Sequence, residues 1–478
     1  MRKTKIVCTI GPASESEEML EKLVYAGMNV ARINFSHGDY EEQSSRIENI
    51  KKVREKTAKP IALMLDTKGP EIRIGKFAEK EVTLHEGDMF TLLNDDVLGD
   101  NTKVSVTYKN LANEVSLGTT ILINDGLIEC KVEEIINKDV VCRVINGGKL
   151  TDRKSINIPN SKINLPSLTQ KDIDDIKFGI ENGFDYIAAS FIRRPEDVTN
   201  IRKILTENGG ENVKIISKIE NREGVDNFDK ILEVSDGIMV ARGDLGVEIP
   251  MEEVPIFQKQ FIQKCCLAGK PVITATQMLE SMVNTPRPTR AEVSDVANAI
   301  YDQTSCIMLS AETAAGMYPV ECVKAMDRIA NTVEANIKYW KRSTRRQEDI
   351  QELDYEFNLN HSVTNTARNI NADAIFAYTQ TGDTPRMLAS FLPQCPIYAF
   401  TSTKKTYEQL SLVWNVTPIL VLDKKEPNDI IEEGIKIAKE SGYVKEGQIA
   451  IIAGGASILS SYSGDETINK VIGGILKI

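Results

Sequence analysis

Eight short apolar runs recur along the chain: Lys5–Ile10, Met28–Phe35, Pro60–Thr67, Asp185–Phe191, Val213–Glu220, Gly237–Arg242, Pro271–Thr276 and Cys306–Glu312. Each has the length of a buried strand, and helix-patterned stretches separate most of them. Strands alternating with helices predict an α/β chain built on a parallel (β/α)8 TIM barrel, a fold that places its chemistry at the C-terminal ends of the strands. Nearly every run ends in a reactive polar side chain, so the pattern also marks where an active site should lie.

The barrel pattern breaks after its third run. Between Gly69 and Leu168 the text turns to period-two alternation and hairpin signals, as in Val82–His85, Lys103–Val106, Thr120–Glu129 around Asn124-Asp125-Gly126, and Val140–Ile145 before Asn146-Gly147-Gly148. This predicts an inserted all-β domain, residues 70–167, hanging as a lid over the barrel mouth, where it could exclude water. Thr169 is the expected N-cap of the next helix. After the eighth run a helix is expected from Pro319 to about Trp340, then a charged, linker-like stretch Lys341–Arg346. Alternation resumes with strands expected at Ala374–Thr379, Pro396–Thr401, Thr417–Leu422 and Gln448–Ala453, between helices from His361, Asp383, Lys405 and Asn428. The reading is a catalytic barrel (1–69 and 168–340), a lid (70–167) and a C-terminal α/β regulatory domain (341–478).

Composition narrows the partners. The 478 residues exceed what one core usually serves. With 69 acidic against 58 basic residues, the net charge of −11 disfavours nucleic acid and anionic membranes. No apolar stretch is long enough to span a bilayer, and Met1-Arg2-Lys3-Thr4 runs into the first strand without a signal-peptide pattern. Eight scattered cysteines without C-x-x-C pairs read as reduced thiols, and the expected location is cytoplasmic.

Residues two apart on a strand share a face, which groups the polar residues at the expected mouth. Arg32, Asn34 and Ser36 end the second run, Asp66 and Thr67 the third, Lys218 and Glu220 the fifth. Arg242 and Asp244 follow the sixth, Thr274 and Thr276 end the seventh, and Ser310 and Glu312 the eighth. Glu220 and Asp244 on adjacent strands suit Mg²⁺, a hard ion that keeps positions open for water and substrate oxygens. Lys218 beside them suits a phosphoryl group in transfer. Each residue alone could be a solvated rim residue; the cluster is what points to a site. Gly243 could be a tight turn or could present backbone N–H groups to a carboxylate, and Thr276 could be a helix cap or a substrate contact. No G-x-x-x-x-G-K-[ST] loop is present, so a nucleotide must be held another way.

Over essentially its whole length the chain resembles the pyruvate kinase family. The resemblance rests on Ala31-Arg32-Ile33-Asn34-Phe35-Ser36-His37-Gly38, Leu65-Asp66-Thr67-Lys68-Gly69-Pro70-Glu71-Ile72-Arg73, Ser217-Lys218-Ile219-Glu220-Asn221, Met239-Val240-Ala241-Arg242-Gly243-Asp244-Leu245-Gly246, Ala275-Thr276-Gln277-Met278-Leu279-Glu280-Ser281-Met282 and Met308-Leu309-Ser310-Ala311-Glu312-Thr313. It implies phosphoryl transfer from phosphoenolpyruvate to ADP, giving ATP and pyruvate, in a homotetramer.

By position the resemblance implies that Glu220 and Asp244 hold Mg²⁺ (or Mn²⁺) and that Lys218 stabilises the transferring phosphoryl. Arg32 would touch the substrate phosphate, and Gly243, Asp244 and Thr276 its carboxylate end. Asn34, Ser36, Asp66 and Thr67 resemble a K⁺ site. Family members with Glu at the position of Glu71 tend to require K⁺, whereas Lys there tends to replace it, so K⁺ dependence is expected. Asn34, His37, Arg73 and Lys154 fall where the nucleotide is held, and Thr276, Ser310 and Glu312 would order a water that protonates the enolate. Thr379, Thr381, Gly382 and Thr384 fall at the family's effector pocket, for fructose bisphosphate, another sugar phosphate, AMP or no effector at all, or they form an ordinary βα turn; Asp383 opposes an anion there, and the late loop from Gly454 to Gly464 offers no Lys or Arg. The lid motif departs from the family, with Ser155 after Lys154 where glycine is usual. Two other readings use the same residues: another Mg²⁺-dependent barrel enzyme of enolates or 2-oxo acids, such as an aldol lyase, and a catalytically silent metabolite sensor.

Overall fold

The structure is a computed structural model that describes residues 2–159, 161, 163–346, 355–422, 424, 426–454 and 474–478. All eight predicted runs form strands: β1 (Lys5–Ile10), β2 (Val30–Asn34), β3 (Ala62–Asp66), β4 (Tyr186–Ala189), β5 (Lys214–Ile219), β6 (Gly237–Ala241), β7 (Val272–Ala275) and β8 (Cys306–Leu309). They pair in parallel and in sequence order, and β8 returns to β1 to close the barrel. Both faces of each strand are buried, which is why these runs read as continuous apolar text and not as alternation.

One face of each strand fills the barrel interior. Val7, Val30, Met64, Ala188, Ile216, Met239, Ile273 and Met308 pack there. Two residues further along, the inward positions become Thr9, Arg32, Asp66 and Lys218 on β1, β2, β3 and β5, with Ser190 just past the end of β4. The apolar interior thus ends in a polar layer at the C-terminal mouth. The other strand face joins the surrounding helices in one large core.

The inserted segment has its own core, including Phe90, Ile121, Ile123, Cys130 and Cys142. A seven-stranded sheet runs from Ile72–Arg73 through Ser155–Asn157, Thr120–Ile123, Ile128–Ile136, Asp139–Asn146 and Met89–Leu93 to Lys103–Ser105. Its edges meet through the Ile74 to Val106 bridge, which closes the sheet into a small barrel. Asn124, Asp125 and Gly126 all take positive φ (58°, 55° and 82°), the turn chemistry that joins Thr120–Ile123 to Ile128–Ile136.

Beyond the barrel, the expected single helix from Pro319 to about Trp340 ends at Ala335 with Asn336 as its cap, and a second helix spans Tyr339–Arg346. The stretch read as a linker is therefore helical at least through Arg346. β9 (Ala374–Tyr378), β10 (Ile397–Thr401), β11 (Val416–Leu420) and β12 (Ile449–Ala453) form a parallel sheet in the order β11-β10-β9-β12. A fifth strand, β13 (Gly474–Lys477), which periodicity did not reveal, pairs antiparallel with β12. The loop from Gly454 to Gly464 lies outside the described residues except for Gly454 itself.

This sheet is seated against the N-terminal end of the barrel. Leu412 enters the barrel's inner core, the Tyr186 hydroxyl donates to the Gln409 carbonyl at 2.7 Å, and the Lys5 ammonium donates to the Val416 carbonyl at 2.6 Å. Asp185, wholly buried, takes Arg54 from the barrel side and Lys405 from the other. The floor of the barrel is closed and its opposite end is left for chemistry.

Candidate active site

Lys218 reaches the mouth from β5 and is only 8% exposed. Its ammonium lies 2.9 Å from Glu220 Oε1 and 3.2 Å from Asp66 Oδ1, and it donates to Ser190 Oγ at 2.8 Å. Burial disfavours its charge, but Asp66 and Glu220 outweigh that and hold its pKa above the ordinary lysine value. Arg32 completes the layer, donating from Nε to Asp66 Oδ2 at 2.7 Å and from Nη1 to Thr9 Oγ1 at 2.7 Å. Burial alone would raise the Asp66 carboxyl, yet Arg32 and Lys218 bring it below its usual value.

Glu220 and Asp244 face each other beside this ammonium. Both carboxyls are pushed up by burial, with Lys218 opposing the shift in each. Two desolvated carboxylates at one point are the donor set a hard divalent cation relieves, so these residues fit Mg²⁺ or Mn²⁺. Among the described residues no group of three or more His, Cys, Asp or Glu side chains gathers as a metal site.

Backbone geometry at the strand ends aims these groups. Phe191, just past β4, takes φ 54° and donates its N–H to Glu220 Oε2 at 2.6 Å. Thr276 and Gln277 after β7 take φ 69° and 53° in succession, an unfavourable conformation for side chains of this kind. Arg242 secures that turn, donating to the carbonyls of Ala275 and Thr276 and pairing with Asp295 at 2.8 Å. The Gly243 N–H donates to Thr276 Oγ1 at 2.8 Å, which puts Gly243, Asp244 and Thr276 on one wall. A cleft of about 680 Å³, lined by Arg242, Gly243, Asp244, Gln277 and the inserted domain's Asp125 and Gly126, opens here.

The remaining candidates divide by location. Asn34 and Asp66 are register neighbours on β2 and β3. Asn34 Oδ1 accepts the Ser36 N–H, and Thr67 Oγ1 accepts the Ser190 N–H. His37 is exposed on the following loop. Arg73 lies in the inserted β domain, paired with Glu71 at 2.7 Å, and Lys154 follows on the strand-edge segment beside it. Ser310 lies at the mouth, half-buried. Glu312 is fully buried and accepts the N–H groups of Leu279 and Ser310, so it acts by holding two loop ends together. Thr274 does not share the mouth with Thr276: Ile273 and Ala275 are the inward residues of β7, and Thr274 Oγ1 meets Thr304 Oγ1 outside the barrel interior.

Far from the mouth, Thr379, Thr381, Gly382 and Thr384 form the turn into the helix Asp383–Ser390. The Gly382 N–H donates to Thr379 Oγ1, and Asp383 accepts from Thr381 Oγ1 and from Arg386 at 2.7 Å. The carboxylate of Asp383 thus engages the cation closest to this turn.

Sequence reading missed Ser190 and Thr9. Neither carries charge, and only the closed barrel shows that they lie in the inward layer with Arg32, Asp66 and Lys218.

Comparison with known proteins agrees with this geometry. Residues 1–323 match the family described as "Pyruvate kinase, barrel domain", and residues 358–469 the one described as "Pyruvate kinase, alpha/beta domain". A pyruvate kinase of Staphylococcus epidermidis is 52% identical over 458 residues, 95% of this chain and 78% of the relative. One from Clostridium acetobutylicum is 48% identical over 472 residues, covering 98% of this chain and 99% of the relative. The crystal structure of a pyruvate kinase from Cryptosporidium parvum superposes with a TM-score of 0.92 at 38% identity, covering 98% of this chain and 96% of that one. An eight-stranded barrel carrying this polar layer, matched along both of its family segments, belongs to the pyruvate kinase family of phosphotransferases.

Proposed function

We propose that the barrel mouth transfers the phosphoryl group of phosphoenolpyruvate to ADP, giving pyruvate and ATP, with Mg²⁺ (or Mn²⁺) and K⁺ as cofactors. The observation that carries this reading is the buried Lys218 ammonium, bonded to Asp66, Glu220 and Ser190 and facing the Glu220 and Asp244 carboxylates. Glu220 and Asp244 would hold the divalent ion, which when bound supplies Lewis-acid stabilisation of phosphoryl and enolate oxygens. Asn34, Ser36, Asp66 and Thr67 supply oxygen donors of the kind K⁺ takes.

Two polyanions must approach each other, so the fixed positive charges of Lys218, Arg32 and Arg73 offset their repulsion. Lys218 stands where charge on the phosphoryl in flight is stabilised, and Arg32 binds its oxygens in the ground state. Gly243, Asp244 and Thr276 orient the carboxylate end, while Asn34, His37, Arg73 and Lys154 receive the nucleotide. No protein side chain becomes phosphorylated. Thr276 and Ser310 order the water that delivers a proton to the enolate carbon, with Glu312 positioning Ser310 from beneath.

In this reading residues 1–69 and 168–340 form the catalytic barrel, 70–167 the lid and 341–478 the regulatory domain, in a cytoplasmic homotetramer. No described helix is long and apolar enough to cross a membrane. The turn Thr379–Thr384 would receive a sugar phosphate or AMP, whose phosphate must take the place of Asp383 at Arg386.

A coupled pyruvate assay with phosphoenolpyruvate, ADP, Mg²⁺ and K⁺, each omitted in turn, tests the proposal. Pyruvate must appear only with the phosphoryl donor and ADP together. Cleavage of a larger 2-oxo acid to pyruvate without ADP would identify an aldol lyase instead, and no turnover at all would identify a sensor.

A further inference from the structure

The lid touches the barrel at a place that the chemistry above does not use. Asn157, on the lid strand Ser155–Asn157, donates from Nδ2 to Glu248 Oε1 at 2.7 Å. Glu248 is the last residue of the seven-residue helix Arg242–Glu248, whose second and third residues are Gly243 and Asp244. The neighbouring lid strand meets the same helix. Leu122 is the register partner of Asn157, its strand leads into the Asn124–Gly126 turn, and a Cβ at Gly126 would lie 3.6 Å from Val247.

The two contacts flank the catalytic cleft. Gly126 and Val247 line its roughly 680 Å³ volume, while Asn157 and Glu248 line a smaller cavity of about 90 Å³ of mixed character, between apolar Ile72, Ile156 and Phe191 and the charged Glu71 and Arg222. Burial raises the Glu248 pKa, and the Asn157 amide opposes the rise. Lifting the lid would return that carboxyl to water, so the contact holds the lid without locking it.

We propose that Asn157 and Glu248 form a reversible latch that fixes the closed lid to the helix bearing Gly243 and Asp244, making both positioning residues for phosphoryl transfer. The inference rests on the reading of Asp244 as a metal ligand under a closing lid. One turn of helix separates Glu248 from Asp244, so a lid held at Glu248 also holds the wall on which the metal and the substrate carboxylate would sit. Loss of the latch leaves every catalytic group present but lets the closed state and the Asp244 wall drift apart.

The test compares Glu248→Ala, Glu248→Gln, Asn157→Ala and the double alanine variant in the full chain. Each single alanine variant should lose about tenfold in kcat/KM for ADP, the size expected for one hydrogen bond to a charged group. The double variant should be no worse than the weaker single. Glu248→Gln keeps an oxygen acceptor and should stay within about threefold of the parent, and none of the variants should change the thermal midpoint by more than a few degrees. Amide hydrogen exchange in substrate-free protein should quicken across 120–126 and 155–157 in Glu248→Ala. Exchange unchanged in those segments, multiplicative losses in the double variant, or a Gln variant as impaired as Ala would overturn the latch. If the parent enzyme makes no pyruvate while exchange responds as described, the phosphotransfer reading falls and the latch stands.

Discussion

The ammonium of Lys218 lies 3.2 Å from a carboxylate oxygen of Asp66, although 152 residues, including the whole inserted β domain, separate them in the chain. Ser190, just past the intervening strand, accepts from the same ammonium, so β3, β4 and β5 are joined across their C-terminal ends by one charged hydrogen-bond network. Burying such charges is expensive, and a network of this sort is retained where its placement matters more than its stability.

Replacing Lys218 with Met keeps the stem and removes the charge. Phosphoryl transfer should fall by about a thousandfold or more, the scale of losing a principal electrostatic stabiliser. Exchange of the pyruvate C3 protons with solvent should survive if, as proposed, Thr276 and Ser310 order the water that delivers the proton. Loss of both to the same degree, measured by coupled assay and by deuterium incorporation, would sink this division of roles.

Asp66→Asn should destabilise the protein by about 3–5 kcal/mol, since it strips a partner from two buried cations at once. The folded-state pKa of Asp66 is depressed, so as pH falls the unfolded chain takes up its proton first. The stabilisation is therefore complete above the ordinary aspartate value of about 3.9 and is lost as pH drops through the lower folded value. Denaturation midpoints across this range should show the gap between parent and variant closing in acid; a gap that widens there contradicts the assignment.

Glu71→Lys should make activity independent of K⁺. The negative field of Glu71 already reaches Asp244, where it helps to raise that carboxyl. A lysine there reverses the sign and brings a fixed ammonium to the region the monovalent ion would serve. The ratio of rates with and without KCl should fall toward about 1 in the variant, while the parent keeps a strong dependence.

Asp383→Ser should release Arg386 from the carboxylate that holds it at 2.7 Å. Fructose bisphosphate, other sugar phosphates and AMP are then titrated against the phosphoenolpyruvate saturation curve. The concentration giving a half-maximal shift should fall by about tenfold for the compound that binds this turn, the effect of removing one like charge at close range. A variant less sensitive than the parent to every compound would exclude the turn as an effector site.

Much of this was readable from the chain because a barrel strand buried on both faces writes itself as an unbroken apolar run, as Ala62–Asp66 and Lys214–Ile219 do. The ends of those runs named Arg32, Asp66, Lys218 and Glu220 directly. Parity failed where the strand stopped being a strand. Strand alternation puts Thr274 on one face with Thr276, but the left-handed turn at Thr276 and Gln277 breaks the alternation, and Thr274 belongs to the outer face. Ser190 and Thr9 were silent because small hydroxyls are common everywhere, and only closure of the barrel gives their positions meaning. Lys341–Arg346 reads as a linker because every residue in it is polar, although it continues the helix Tyr339–Arg346.

Leu412, set into the base of the cylinder by a different sheet, acts as the stopper of a vessel that has no bottom of its own. Cut away everything after the eighth strand and its helix, and solvent would flood the space against Met64, Tyr186 and Cys306. The cylinder and the distal sheet should therefore melt together as one cooperative body, and expressing the catalytic half by itself should yield aggregate instead of a smaller enzyme.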